Sequence, residues 1–126
     1  NLLTNSGRDW MHAQVYTNTA AGTRGAGYIG LSANAAAPAA TDTALTGEIT
    51  SGGLTRVDAG TKTHTAGTNS TTIQHTFTAS TVHTAVVKAS LFNAVTSGYM
   101  AHINTFTAVT LQASDTLQVT WTVTLG

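Results

Sequence analysis

Cysteine is absent from this chain of 126 residues, charged residues make up only 8% of it, and aromatics only 6%. No apolar run approaches the ~20 residues that a membrane-spanning helix needs. Each shortage excludes something. Without cysteine there is no disulfide, no thiolate nucleophile and no Cys-ligated zinc. Five basic and five acidic residues balance to a formal net charge of zero, so the positive footprint by which nucleic-acid binders displace counterions is missing. Arg8, Arg24, Arg56, Lys62 and Lys88 are scattered singly along the chain. A surface this close to neutral also lacks the self-repulsion that keeps copies apart, which favours packing into an assembly.

What replaces charge is hydroxyl. Hydrophobic residues reach 41%, an ordinary level, while charge lies far below the usual ~25%. Threonine fills roughly a fifth of the positions, well above common usage. β-Branched side chains suit a pleated surface, so the composition favours an all-β domain. The stretch from Asp115 to Leu125 states the pattern most clearly. Leu117, Val119, Trp121, Val123 and Leu125 fall on one side of a period of two, and Gln118, Thr120, Thr122 and Thr124 on the other. Such alternation predicts a half-buried strand with a dry face and a threonine-covered wet face. Val119, Trp121 and Val123 are therefore expected to be buried.

The same alternation predicts strands over Tyr28–Ser32, Leu54–Thr65, Thr71–Ala79, Thr81–Phe92 and Tyr99–Thr107, separated by turn-rich connections. In the first of these, Tyr28, Gly30 and Ser32 share one face and Ile29 and Leu31 the other. The N-terminal segment, residues 1–16, reads as a short helix. Asn5 or Ser6 is its expected N-cap, and Asp9 is expected to complement the positive helix end. A loop rich in small residues follows from Thr17 to Gly27. Ala33–Asp42, with Pro38 disfavouring helix at Ala37, reads as an extended surface connection. Thr41 or Asp42 could cap a second short helix over Thr43–Ile49. The expected architecture is one domain spanning 1–126. It is an all-β antiparallel β-sandwich, jelly-roll or immunoglobulin-like, over residues 28–125, with one or two short helices near the N-terminus.

Candidate chemistry is sparse. His12, His64, His75, His83 and His102 lack the close spacing of a zinc site, although cross-strand convergence of two or three is left open by sequence distance. No G-x-S-x-G elbow accompanies the serines. Asp9, Asp42, Asp58 and Asp115 fall mostly at caps and turns, and Glu48 with Asp58 is the one conceivable carboxylate pair. Gly22–Gly27 looks like a phosphate loop but lacks the preceding strand and following helix. These signals predict no enzyme, no catalytic or metal-binding residues and no cofactor. Among the eight aromatics, Phe77 and Trp121 lie on apolar faces, which leaves Tyr28 and Tyr99 as candidate exposed rings.

The order of several segments carries a resemblance. Tyr28-Ile-Gly-Leu-Ser32, Ala36-Ala-Pro-Ala-Ala-Thr-Asp-Thr-Ala-Leu45, Glu48-Ile49 and Gly53-Leu-Thr-Arg56 come first. Phe77-Thr-Ala79, Lys88-Ala-Ser-Leu-Phe-Asn93 and the closing Asp115–Leu125 run complete the set. Together they resemble small bacteriophage virion structural proteins of the tail-fibre-like or capsid-decoration type, over roughly Tyr28 to Leu125. The helix-like segment up to Tyr16 departs from the tail-fibre pattern, in which a longer shaft-joining region would precede. The resemblance implies a non-enzymatic virion component whose partners are the major capsid protein or tail proteins, and which forms a homo-oligomer, a trimer. It implies neither nucleic-acid nor membrane binding. A self-contained chain without a heptad or collagen-like shaft fits capsid decoration better than a fibre. A small tail or tail-fibre adaptor is the first alternative, and a glycan-binding module using Tyr28 or Tyr99 the second. Zinc hydrolase chemistry ranks behind both. The candidate interface comprises Asn1, Leu2, Leu3 and Thr4, suited to lying along a neighbouring subunit, together with Tyr28 and Tyr99.

Overall fold

The computed structural model describes residues 2–18 and 25–126. Within them the chain forms one α-helix, α1 (Asn5–His12), which runs directly into a π-helical turn (Ala13–Thr17), and then seven strands. These are β1 (Tyr28–Ser32), β2 (Val57–Asp58), β3 (Thr61–His64), β4 (Ser70–Thr78), β5 (His83–Phe92), β6 (Met100–Leu111) and β7 (Thr116–Thr124). Every strand pairing is antiparallel. One sheet has the order β2-β1-β5-β6 and the other β3-β4-β7.

The two sheets share a core, as an all-β sandwich requires. Ile29, Leu31, Ala89 and Leu91 from the larger sheet meet Ile73, Phe77 and Val123 from the smaller. Fully burying a side chain such as Ile29, Leu31, Ile73 or Leu91 contributes about 1.5–3 kcal/mol. The division of strands is that of an immunoglobulin constant-type sandwich, four and three, but the order within the sheets differs, and a jelly roll has eight strands.

A second, smaller apolar layer lies on the outer face of the four-stranded sheet. Tyr28, Leu45 and Phe92 form its centre, flanked by Met100 and Ile103. The connection from β1 to β2 folds over this face, so β1 is buried along its whole length. Gly30 shows how close the cover lies. A Cβ there would meet Glu48 Oε1 at 3.1 Å, Phe92 Cε2 at 3.2 Å and Leu45 Cδ2 at 3.3 Å.

Several expected boundaries move, each for a local reason. The N-cap is Thr4 rather than Asn5 or Ser6, and it accepts from the Gly7 N–H at 3.1 Å. Asp9 turns away from the helix end towards β3. The single strand expected over Leu54–Thr65 is two strands in different sheets. β2 pairs with β1, the chain breaks at Ala59-Gly60, and β3 pairs with β4. No helix forms over Thr43–Ile49. Gly47 takes a left-handed φ of 69°, and Ile49 donates instead to the Leu31 carbonyl at 2.8 Å, which ties this stretch to β1. β6 extends past Thr107 to Leu111, and its pairing with β5 is adjusted by three register shifts, one of which spans Ala85, whose φ is 54°. The Ala33–Asp42 connection lacks helix and strand, as expected. Of the Thr17–Gly27 loop, residues 19–24 lie outside the described residues.

Candidate contact surfaces and a histidine cluster

The outer face of the three-stranded sheet is built by the alternation seen in the sequence. Register places Thr61 and Thr63 beside Gln74 and Thr72, and Thr72, Gln74, Thr76 and Thr78 beside Thr122, Thr120, Gln118 and Thr116. Lys62 points to the other side, where it pairs with Asp58. Side-chain bonds cross the strands on the outer face, from Gln74 Nε2 to Thr120 Oγ1 at 2.9 Å and from Gln118 Nε2 to Thr76 Oγ1 at 3.4 Å. The result is a sheet face of hydroxyls and amides without a charge.

β6 and β7 stand at the ends of their sheets, with no further strand beside them among the described residues. Neither contains a proline or a lysine, the residues that commonly protect exposed edges. Between the two edges runs a cleft whose apolar residues are joined at its rim by Asn104, Thr105, Gln118 and Thr120. One part, of about 150 Å³, is lined by Ala89, Phe106 and Trp121. The adjoining part, of about 280 Å³, is lined by Phe106, Leu117 and Val119. This position at the edge explains why Val119 and Trp121 are only half-buried, against expectation, while Val123 is buried. Trp121 Nε1 makes no hydrogen bond among the described residues.

Of the sequence-derived interface residues, Leu2 is 86% and Leu3 50% exposed, and Thr4 is exposed while capping α1. Asn1 lies outside the described residues. Tyr99 is 82% exposed, and its N–H donates to Asn93 Oδ1 at 2.8 Å. Tyr28, expected as an exposed ring, is instead buried against Leu45 and Phe92. The β1–β2 connection covers it, a long-range event that alternation along β1 could not reveal.

Sequence reasoning also missed Arg56. Its guanidinium lies 3.4 Å from the centre of the Phe92 ring and forms a two-pronged ion pair with Glu48, at 2.7 and 2.6 Å. Nη1 donates to the Ala94 and Ser97 carbonyls at 3.2 and 2.8 Å, which fastens the turn that presents Tyr99. Glu48 is thus engaged by Arg56 and Asp58 by Lys62, so the two do not form a carboxylate pair. Asp42 and Asp115 hold local turns through the Ala39 and Gln112 N–H groups.

Two of the five histidines converge after all. α1 lays His12 against the body, where its ring stacks on His64 with centroids 4.2 Å apart. His12 is fully buried, and Nδ1 bonds to the Thr71 hydroxyl. His64 Nδ1 faces the Ser70 carbonyl at 2.8 Å and Nε2 faces Asp9 Oδ1 at 2.9 Å. Asp9 also accepts from the Gly67 N–H at 3.0 Å. One turn on, the Tyr16 hydroxyl meets His102 Nε2 at 3.0 Å. Hydrogen bonds from Asp9 and then the Ser70 backbone raise the His64 pKa, and His64 in turn holds the Asp9 carboxyl below its usual range. Burial first, then the neighbouring His64, lowers the pKa of His12. Burial also lowers His102 and raises the Tyr16 phenol. His75 packs edge-on to Phe77, and His83 Nε2 meets the Gly52 carbonyl at 2.9 Å. Among the described residues no group of three or more His, Asp or Glu side chains is arranged to hold a metal ion.

Comparison with protein-family models, curated proteins and solved structures finds no match to this chain.

Proposed function

We propose that this protein is a non-enzymatic structural component of a bacteriophage virion, acting as a capsid decoration (cement) protein. In this reading it binds the major capsid protein and further copies of itself, as a trimer. The virion assignment comes from the segment resemblance. The contact mechanism is supported by one observation above the others, the uncharged threonine and glutamine face of the β3-β4-β7 sheet beside an open strand edge. Docking a hydroxyl costs less desolvation than docking a charge, and a hydroxyl can both donate and accept across an interface. Many such contacts repeated over a shell add up to firm attachment without any single strong site.

The test is co-sedimentation of the purified chain with phage particles stripped of it. The double variant Thr120→Lys/Thr122→Lys places two charges on the exposed face. It is expected to weaken binding by at least about tenfold, the equivalent of about 1.4 kcal/mol, with an unchanged circular dichroism spectrum. Wild-type protein that never sediments with particles would overturn the proposal. A small tail adaptor would use the same contact chemistry at far fewer positions. The glycan-binding alternative rests on Tyr99, since Tyr28 is buried. Loss of saccharide binding in Tyr99→Ala would favour it.

A further inference from the structure

The imidazole pair beneath α1 plays no part in the contact surfaces, yet it is the main polar attachment of the helix to the sandwich. We propose that the His12–His64 stack is an acid-sensitive latch, which holds the N-terminal helix in place near neutral pH and lets it go when His12 takes up a proton.

The geometry of His64 favours its charged form. Its ring nitrogens face a backbone carbonyl and a carboxylate, oxygens to which an imidazolium donates from both sides, and the same contacts raise its pKa. His12 lies flat against that cation at 4.2 Å. Its Nδ1 has the Thr71 hydroxyl, and its Nε2 has no hydrogen-bond partner among the described residues. A proton on His12 would therefore place a second positive charge against the first in a fully buried site, with the Asn69 backbone as a weak acceptor nearby.

Among the described residues that charge is offset only in part: the Asn69 backbone and Asp9 favour a protonated His12, and burial and His64 outweigh them. From the helix itself come Asp9, already shared between His64 and the Gly67 N–H, Arg8, a further cation, and Tyr16, whose ring lies 5.9 Å from that of His12. Arg8 donates to the Asn5 side chain and the Gly67 carbonyl. β3 contributes His64, the β3–β4 turn contributes the Asn69 backbone, which favours the charged ring, and β4 contributes Thr71. Beyond Tyr16 lie His102 of β6 and Trp121 of β7, their rings 6.1 Å apart and neither of them an anion.

The signs of the pKa shifts agree with this picture. His12 is lowered in the folded chain, so the attachment it supports is complete above the free imidazole value of about 6.5 and is lost as pH falls below it. His64 is raised, so its contribution is complete below about 6.5 and is lost only as pH rises through the raised value. Asp9 is lowered, so its pairing with His64 is complete above the ordinary carboxylate value and is lost only as pH falls through the lowered one. Attachment is firmest near neutrality. Release in acid also withdraws Tyr16 from His102 and uncovers the neighbouring end of the core, to which Tyr16 belongs.

Hydrogen–deuterium exchange of the full chain tests the latch, with rates corrected for intrinsic exchange and the β4 and β7 amides as internal reference. Protection over residues 5–17 is expected to fall by up to about tenfold per pH unit below about pH 6.5, while β4 and β7 hold theirs. His12→Phe keeps a stacked ring that cannot titrate, and is expected to remove the pH dependence. Helix protection that stays constant down to about pH 5, or that falls equally in His12→Phe, would overturn the latch. Should His12→Phe not fold, imidazole NMR titration of the wild type decides. The latch requires His12 to titrate together with the helix resonances and below His64, and the reverse order would refute it.

Discussion

Arg56 serves three structures at once. It covers Phe92, pairs with Glu48, and holds the turn before Tyr99 through two carbonyls. Its side chain is 8% exposed and that of Glu48 19%. Breaking a buried pair by removing one partner leaves the other charge uncompensated, so Arg56→Ala is expected to lower unfolding stability by about 3–5 kcal/mol. Urea denaturation followed by circular dichroism measures it, and a loss below about 1 kcal/mol would mean that the pair behaves as a surface ion pair. Trp121 makes the opposite case. A fully buried tryptophan truncated to alanine costs about 3–5 kcal/mol, but Trp121 is half-buried beside an open cleft. Trp121→Ala is therefore expected to cost less, about 2 kcal/mol. A larger loss in the isolated chain would mean that the cleft closes in solution.

At the scale of elements, the fold depends on turns that only glycine can make. Gly53 has a φ of 85°, and a Cβ there would lie 2.0 Å from the Thr78 carbonyl oxygen. Gly53→Ala is expected to destabilise the chain by at least about 1–3 kcal/mol from backbone strain, measured as a fall in the urea midpoint. An unchanged midpoint would show that the β1–β2 connection is not fixed at the end of β4. Five of the strands were legible in the sequence because alternation is a local property, most readable where one face is wet and the other dry, although β1 is covered on both faces. β4, β5 and β7 were found within a few residues of their ends for that reason. The break at Ala59-Gly60 was not legible, since a chain that changes sheets keeps alternating on both sides of the change. The burial of Tyr28 was hidden for a related reason, because it depends on a connection that returns from more than ten residues away. The His12–His64 contact joins residues far apart in sequence, through the docking of a helix on a sheet. Sequence spacing left such convergence open but could not supply its partners. The one available signal was the pair of residue types that suit a buried polar contact, histidine in a helix and histidine at a strand end.

For the whole molecule, the defining property is a neutral, hydroxyl-bearing surface on a sandwich whose two long edges face outward on one side. Such a chain is expected to self-associate with little dependence on salt, because the threonine and glutamine face carries no charge to be screened. Sedimentation velocity at low and high ionic strength checks this, and strong weakening by salt would point to an ionic interface instead. The proposed role, contact in many copies on a phage shell, is tested by counting copies per purified particle by quantitative mass spectrometry, with the major capsid protein as internal standard. On the order of hundreds of copies are expected, in a fixed ratio to the capsid protein, as repeated weak contacts on a lattice require. A handful of copies per particle would contradict shell decoration and place the protein on the tail, and none at all would remove it from the virion.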